Sequence, residues 1–482
     1  MRGLFLHLIP AKTEAIGGHF FEYHYGLSSL FAILQLSGHS CFYKMVGPED
    51  LGNLQAGQME SFDFIGVSAT SFDVDTFNKL PLSKHVPILV GGVGPTLMPE
   101  KFSDRSEVTA VFVGETENTL PKALDAIATN LSFDGIEGVV IPGSDHISET
   151  NASLIPDLNV LPLPDRAPIL RSINKKRLWT AEFIFSRGCP FQCSYCCSAA
   201  LKKKYGSAYH RVRRRSVDLV IQEILDVDKK FGPVSINKFH DDNFVGDKKW
   251  THEFCKAYKA EVSAPYHCMT RAELFDEDTA RLLSDSGCFE IKMGLETGDE
   301  KLRREVLGRP QSDDMIRKAI HAAHKTGMRV QINNMIGIPG ETEASLKRTI
   351  ALNRELKPDM ISLSMFTPVP GTVLYRLCVE QDLLNPNWNW STGYFQKHTP
   401  LQKGTLPSEK LEHAFFAMPW QILFPSIAWA PSILAKIPAG SGRNVMELLL
   451  PLFSSLYRFR LGLWARKKRR LLKQNRQNFK TT

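Results

Sequence analysis

Along the first 150 residues, short apolar runs alternate with stretches whose apolar positions recur at helical spacing. Residues 3–9, 41–45, 64–68, 87–91 and 110–113 read as strands, and 25–36 and 118–127 as helices. This alternation predicts an α/β fold with a parallel, doubly wound, Rossmann-like sheet over residues 1–150. Such sheets take ligands beyond the carboxyl ends of their strands. Three turns fall there: Ser68-Ala69-Thr70-Ser71, Gly91-Gly92-Val93-Gly94 and Gly114-Glu115-Thr116-Glu117. Glycine lets a flat or phosphate-bearing ligand approach the backbone. The competing reading is that these turns are only structural.

Residues 155–170 hold four prolines and little periodicity, and read as an extended linker within 151–179. From 180 to 375 the chain repeats strand then helix, with strands at 183–186, 235–240, 265–270, 289–294, 329–336 and 360–365. Six such units predict a partial (β/α)6 barrel, whose sites collect at the C-terminal strand ends. Polar clusters lie at those ends: Asp241-Asp242-Asn243, Arg271 with Glu273, Glu296-Thr297 and Gly337-Ile338-Pro339-Gly340-Glu341. Any of these acids could instead cap the next helix.

The first strand of this repeat runs into FSRGCPFQCSYCCS, with Cys189, Cys193 and Cys196 spaced C-x3-C-x2-C and a fourth thiol at Cys197. Three thiols this close cannot all bury on one face of a helix or strand, but a loop can fold them around one centre. Thiolates suit soft metals and iron–sulfur clusters. Three ligands leave one iron of a four-iron cluster open, and an open position marks chemistry rather than a staple. A structural zinc knuckle borrowing Cys197 is the alternative; Cys197 and Cys268 read as buried thiols.

With Tyr195 as the aromatic before the last cysteine, this array resembles the cluster motif of the radical S-adenosylmethionine (SAM) superfamily. The resemblance implies a 4Fe-4S cluster whose open iron binds the amino and carboxylate groups of SAM. An electron then cleaves a carbon–sulfur bond to give a 5′-deoxyadenosyl radical. It also implies roles for the strand ends. Asp241 and Asp242 would accept from the SAM ammonium, and Glu296 would hold the ribose hydroxyls. Ile336 and Gly337, with Ile338-Pro339 and the backbone of Tyr195, would border adenine.

The N-terminal half resembles the cobalamin-binding domain that precedes many radical SAM barrels, through GHSCFYKM, FDFIGVSATS, VPILVGGVGPT and VFVGETENTL. The resemblance implies that Ser68, Thr70, Gly91, Gly92, Gly114 and Glu115 cradle cobalamin. The D-x-H-x-x-G loop that supplies a lower imidazole to cobalt elsewhere is missing. His19, His24 and His39 read as polar loop or surface residues, so no lower protein imidazole is expected.

Beyond residue 375 the barrel pattern stops, leaving 376–482 as a helical C-terminal region. Residues 414–435 carry no charge, but Pro419, Pro425 and Pro431 would break a single membrane-crossing helix. Short helices packed on the barrel or lying at a membrane interface are expected. The last 25 residues hold ten Lys or Arg and no acid, within a net charge of +8. The body is therefore no general nucleic-acid binder, and the tail beside an apolar stretch reads as peripheral membrane contact. A second basic group, Lys202-Lys203-Lys204 with Arg211 and Arg213-Arg214-Arg215, reads as a solvated face. Phosphate or an acidic reductant are its alternatives. Nine cysteines, mostly scattered, and no secretory leader argue a reducing, cytoplasmic setting.

The resemblance implies a cobalamin-dependent radical SAM enzyme that methylates an unactivated carbon or phosphorus centre. The alternative is oxidative ring formation of the anaerobic tetrapyrrole cyclase type. The expected partners are a hydrophobic small-molecule substrate and a flavodoxin- or ferredoxin-like reductant.

Overall fold

The computed structural model describes residues 1–10, 24–143, 154–174, 178–209, 211–390 and 398–427. The first sheet contains β1 (Arg2–Leu8), β2 (Ser40–Val46), β3 (Phe64–Ser68), β4 (Ile88–Gly91), β5 (Ala110–Phe112) and β6 (Val139–Val140) in the order β2-β1-β3-β4-β5-β6. All pairs are parallel except β5 with β6. Every residue of β3 is buried, as expected when both faces are covered. Two separate apolar clusters do the covering. One holds Leu6, Ile65, Phe77 and Val90; the other holds Phe5, Phe31, Phe64 and Leu124.

The expected linker is a strap rather than a free crossing. Leu158 and Leu161 are buried, and helix Ala167–Ser172 buries Ile169 in the second cluster. Arg166 pairs with Glu223 at 3.1 Å, both side chains about 2% exposed, which fixes the strap to helix Val217–Phe231. Proline here sets extended backbone without preventing apolar burial.

The second sheet runs through β7 (Thr180–Phe183), a short antiparallel pair β8 (Ser186–Arg187) and β9 (Arg213–Arg214), then β10 (Ile236–Phe239), β11 (Tyr266–Thr270), β12 (Cys288–Glu296), β13 (Arg329–Ile336) and β14 (Met360–Met365). Its six long strands lie in the order β14-β13-β12-β11-β10-β7, all parallel, and make a half-barrel. Phe183, Phe239, Cys268, Ile291 and Ile332 point outward into the core beneath the helices. Strand alternation therefore turns Glu182, Lys238, His267, Glu290, Lys292 and Gln331 into the lumen.

Helix Ser408–Leu423 packs on β14 and helix Glu343–Leu356, burying Leu411, Phe415, Met418 and Ile422. Pro419 lies inside this helix without ending it, contrary to expectation. The apolar face on both sides of Pro419 is held by the barrel, and burying several such side chains outweighs one lost backbone bond. The helix stops at Phe424, before Pro425. Among the described residues no helix is long and apolar enough to cross a membrane. Pro431 and the basic tail lie outside the described residues.

Candidate active site

The cysteine loop sits at the C-terminal mouth of the half-barrel and is pinned from both sides. Ser194 N–H donates to the Leu307 carbonyl at 3.1 Å, its hydroxyl donates to the Val306 carbonyl at 2.5 Å, and Leu374 N–H donates back to Ser194 at 2.9 Å. Gly308 has φ +62°, and an added Cβ would press on the Gln192 carbonyl, so the Leu307-Gly308 turn needs glycine to meet the loop. Cys193 and Cys196 lie near enough to Cys189 to raise its pKa, and Cys196 raises that of Cys193. Burial, the largest cause, pushes the Cys189 thiol up to about 11.

Among the described residues no three His, Cys, Asp or Glu side chains converge on a single-ion position. Thiolates on separate corners of an iron–sulfur cube need no such convergence, whereas a zinc knuckle does. Cys197 opens helix Cys197–Tyr205 and hydrogen-bonds the Cys196 thiol. The three-cysteine array thus fits a cluster.

Two guanidiniums approach Cys193. Arg271 donates to its sulfur at 3.1 Å while its charge lies 3.8 Å from the Phe191 ring centre, and Arg309 reaches the same sulfur at 3.8 Å. Burial pushes the Cys193 thiol up, and these two charges oppose that shift. Arg309 also donates to the Tyr195 hydroxyl at 3.3 Å and the Gly294 carbonyl at 2.7 Å, and lies 3.5 Å from Glu296. Glu273 ties the pair together, accepting from Arg271 and Gln311 while Gln311 accepts from Arg309. Asn243 reaches Cys189 at 3.4 Å. None of Arg309, Gln311 and Asn243 had been assigned a role. The signal available was Arg309, four residues after helix Glu300–Glu305 in VLGR, which spacing alone cannot connect to Cys193.

The two strand-end acids of β10 separate in role. Asp241 is buried, and one oxygen accepts from Phe185 N–H at 3.0 Å and from the Ser186 hydroxyl, bracing the entry to the cysteine loop. Its other oxygen has no partner among the described residues. Asp242 accepts from Ser198 at 2.9 Å and lines an open cavity, so it is the carboxylate available to an ammonium.

Glu296 has φ +64°, rare for a residue with a side chain, at a register shift between β12 and β13. A Cβ on Gly294 would collide with its carboxylate. The chain thus holds a strained acid over the strand end, a recurrent mark of a ligand clamp.

The adenine border is only partly as expected. Ile336 buries outward with Leu411 and Phe415. Gly337 N–H is taken by Glu341 at 2.6 Å. The apolar wall beside Tyr195 keeps Ile338 of the expected residues and adds Leu307 and Phe366. Parity explains this, because Ile336 shares the outward face of Ile332 while the Gly337 turn, at φ +81°, reverses direction.

Burial raises the Glu341 carboxyl from 4.5 to about 7. A raised carboxyl favours folding most when both states are protonated. Stability should therefore fall as pH rises from about 4.5 to about 7, by up to roughly 3 kcal/mol. Glu341→Gln is expected to remove that slope in denaturant titrations across the window. An unchanged slope would show that Glu341 ionises freely.

Facing the cysteine loop, a cavity of about 430 Å³ lies between the two sheets, within the range of small-molecule sites. Ser68, Gly91, Gly92, Gly114 and Glu115 line it from the first sheet, and Ser186, Arg187, Tyr205, Tyr209 and Asp242 from the second. Gly92, at φ +116°, and Gly94 pack on Ala69 and Thr70, where a Cβ would overlap backbone carbonyl oxygens. Among the described residues Gly91 has only Phe112 within reach, so its missing side chain leaves space for a ligand. Thr70 does not line the cavity; its hydroxyl and N–H both donate to Asp73. Glu115 spends its carboxylate on a bidentate pair with Arg213 at 2.8 Å and on Ile155 N–H at 2.7 Å. With Arg187 joined to Glu117, it latches the two domains.

The basic group around this latch is a solvated face only in part: Lys203 and Arg211 are exposed, and four of the others are engaged. Arg213 is taken by Glu115, Arg214 donates to the Asn243 and Phe244 carbonyls, Arg215 to Pro162, and Lys202 to Pro190. Guanidiniums here satisfy loop carbonyls that no strand pairs.

His24 caps helix Tyr25–Leu36 and lines the cavity, so of its two readings it is the polar loop residue and not the surface one. Its Nδ1 accepts from Leu27 N–H at 3.0 Å, so the neutral ring carries its proton on Nε2 and donates to Ser68 at 3.1 Å. Burial lowers its pKa to about 4, which keeps it neutral. Neither nitrogen is free to ligate a metal. His39 contacts the N-terminal ammonium at 3.2 Å, and His19 lies outside the described residues.

Comparison with known proteins agrees with this geometry. A sequence model of the Radical SAM superfamily matches residues 183–352. An uncharacterized methyltransferase of Pyrococcus horikoshii is 27% identical over 362 residues, covering 73% of this chain and 74% of that protein. Cytidylyl-2-hydroxyethylphosphonate methyltransferase of Streptomyces wedmorensis is 25% identical over 62% of each chain. The radical SAM methyltransferase TsrM of Kitasatospora setae, solved with cobalamin and a [4Fe-4S] cluster, shares the fold. Its TM-score is 0.65 over 98% of this chain and 100% of that one, at 16% identity. The cysteine array at the mouth of the half-barrel lies within the matched segment, and residues 183–352 belong to the radical SAM superfamily.

Proposed function

We propose that the protein is a cobalamin-dependent radical SAM methyltransferase acting on a small molecule. The observation that carries this reading is the shared cavity, which joins the glycine turns of the first sheet to the strand ends beside the cysteine loop. Cys189, Cys193 and Cys196 would hold the cluster; Asp242, Glu296, Tyr195 and the apolar wall at Ile338 would hold SAM. Ser68, Gly91, Gly92 and Gly114 would hold cobalamin, and Glu115 would hold the domains around it. Bound there, the cluster and SAM supply a carbon radical, and cobalamin supplies the methyl group.

The chain's own residues do the rest. Arg271 and Arg309 neutralise the sulfur-rich loop, Asp241 fixes its entry, and the Glu115–Arg213 latch holds the two sheets together around the cavity. A ferredoxin- or flavodoxin-like protein would deliver the electron.

A hydrophobic substrate had been expected from the C-terminal apolar stretch. The described part of that stretch packs on the outside of the half-barrel, so it does not argue for what the lumen binds. Anaerobic reconstitution with SAM, cobalamin and a cell extract tests the reading by product mass. A gain of one methyl group is expected, and a loss of hydrogens alone would favour ring formation. Cobalamin taken up by the protein is expected to show a spectrum without imidazole coordination, unchanged in His24→Ala. A His24-dependent spectrum would overturn the assignment of its nitrogens.

A further inference from the structure

The lumen of the half-barrel carries charge that none of these roles uses. Glu182, Lys238, His267, Glu290 and Arg329 stand side by side across five strands. Two ion pairs account for their charges: Lys238 with Glu182 at 3.2 Å, and Arg329 with Glu290 at 3.7 Å. One layer nearer the cysteine loop, Met269, Lys292 and Gln331 stand in register, and His240 lies two residues beyond Lys238. Lys292 is half-buried and makes no hydrogen bond or ion pair among the described residues. The carboxylates that influence it, Glu290 and Glu182, are those already paired. The Nε2 of His240 and the Nδ1 of His267 are buried without hydrogen-bond partners among the described residues. Burial holds both rings neutral, His240 at about 4. Among the described residues the lumen therefore keeps one uncompensated ammonium, two residues deeper than Gly294, whose carbonyl binds Arg309.

An ammonium withdrawn from water and left unpaired is costly, and an incoming acid group would offset that cost. We propose that Lys292 anchors the methyl acceptor by an acid group, a carboxylate or a phosphate, with His240 and Gln331 beside it. This rests on the reading above for the substrate's place in the lumen, and it narrows the substrate class to small acids. Held there, the far end of such a molecule would reach toward the cysteine loop, since Gly294 and Glu296 continue the same strand face.

The test uses the full chain, reconstituted and loaded with SAM. Binding of phenyl phosphate is read by 31P line width, that of 4-fluorobenzoate by 19F line width, and 4-fluorobenzyl alcohol is the neutral control. One or both acids should bind, on the order of tenfold more weakly to Lys292→Met, with recovery in Lys292→Arg. The alcohol should not distinguish the variants. Binding of phenyl phosphate alone would assign a phosphate, and of 4-fluorobenzoate alone a carboxylate. No binding of either acid, or equal binding by Lys292→Met, would overturn the proposal. A measurement on the unaltered chain guards against misfolding. Acetic anhydride should modify Lys292, and the acid that binds should slow it; Lys292 modified equally fast with and without acid would also overturn the proposal. SAM cleavage assayed on the same preparation separates the two readings. Its absence counts against the enzyme assignment, while cleavage with a Lys292 indifferent to acids sinks only this inference.

Discussion

Replacing Cys193 by Ala is expected to lower reductive cleavage of SAM by more than about 100-fold, beyond the 10–100-fold typical of losing a supporting partner around a metal. Cys193 is the most enclosed of the three thiols and the one both guanidiniums reach. Without it a cluster would have two protein ligands, and Arg271 and Arg309 would face each other across a vacated sulfur position. Cys197→Ser is the matched control, since that thiol bonds its neighbour Cys196 and is not needed as a ligand. The measurement is 5′-deoxyadenosine formed per chain, with iron content determined on the same samples. Cleavage by Cys193→Ala within a few-fold of the parent would remove the cluster assignment.

The second large effect concerns Gly92→Val. Valine at φ +116° is a severe outlier, and its Cβ would overlap the Ala69 carbonyl oxygen. The cost should be at least about 3 kcal/mol, because neither turn can move without breaking the bonds of Gly94 and Ala69 N–H to each other's turn. The damage should stay in the first domain, whose apolar clusters are separate from that of the half-barrel. Corrinoid uptake should be lost while iron content remains at the parent value. Normal corrinoid uptake by Gly92→Val would mean that the Gly92 turn does not shape that cavity.

Much of the fold was legible because parallel strands buried on both faces leave dense apolar runs. Helix Tyr25–Leu36 and strands β3, β13 and β14 match the expected bounds. Strand β6 was not, since Val139–Val140 is too short to show a period. The cysteine loop was legible from spacing, and the strand-end acids from their position after apolar runs. What sequence could not give was the division of labour among neighbours. Asp241 and Asp242 are adjacent, yet one braces a loop and the other faces a cavity. Glu115 sits in a glycine turn that looks like a cradle, and its carboxylate is consumed by Arg213, nearly a hundred residues away. Lys292 is one lysine in an apolar strand until the register shows that the charges around it are already paired. Long-range pairing decides each of these cases, and no local pattern records it.

The central claim is that Cys189, Cys193 and Cys196 support a cluster with one coordination position left for SAM. Electron paramagnetic resonance of the reduced, reconstituted protein before and after adding SAM tests it most directly. The account predicts a cluster signal that shifts on addition, with 5′-deoxyadenosine then appearing. A signal that SAM leaves unmoved, with SAM recovered intact, would contradict it.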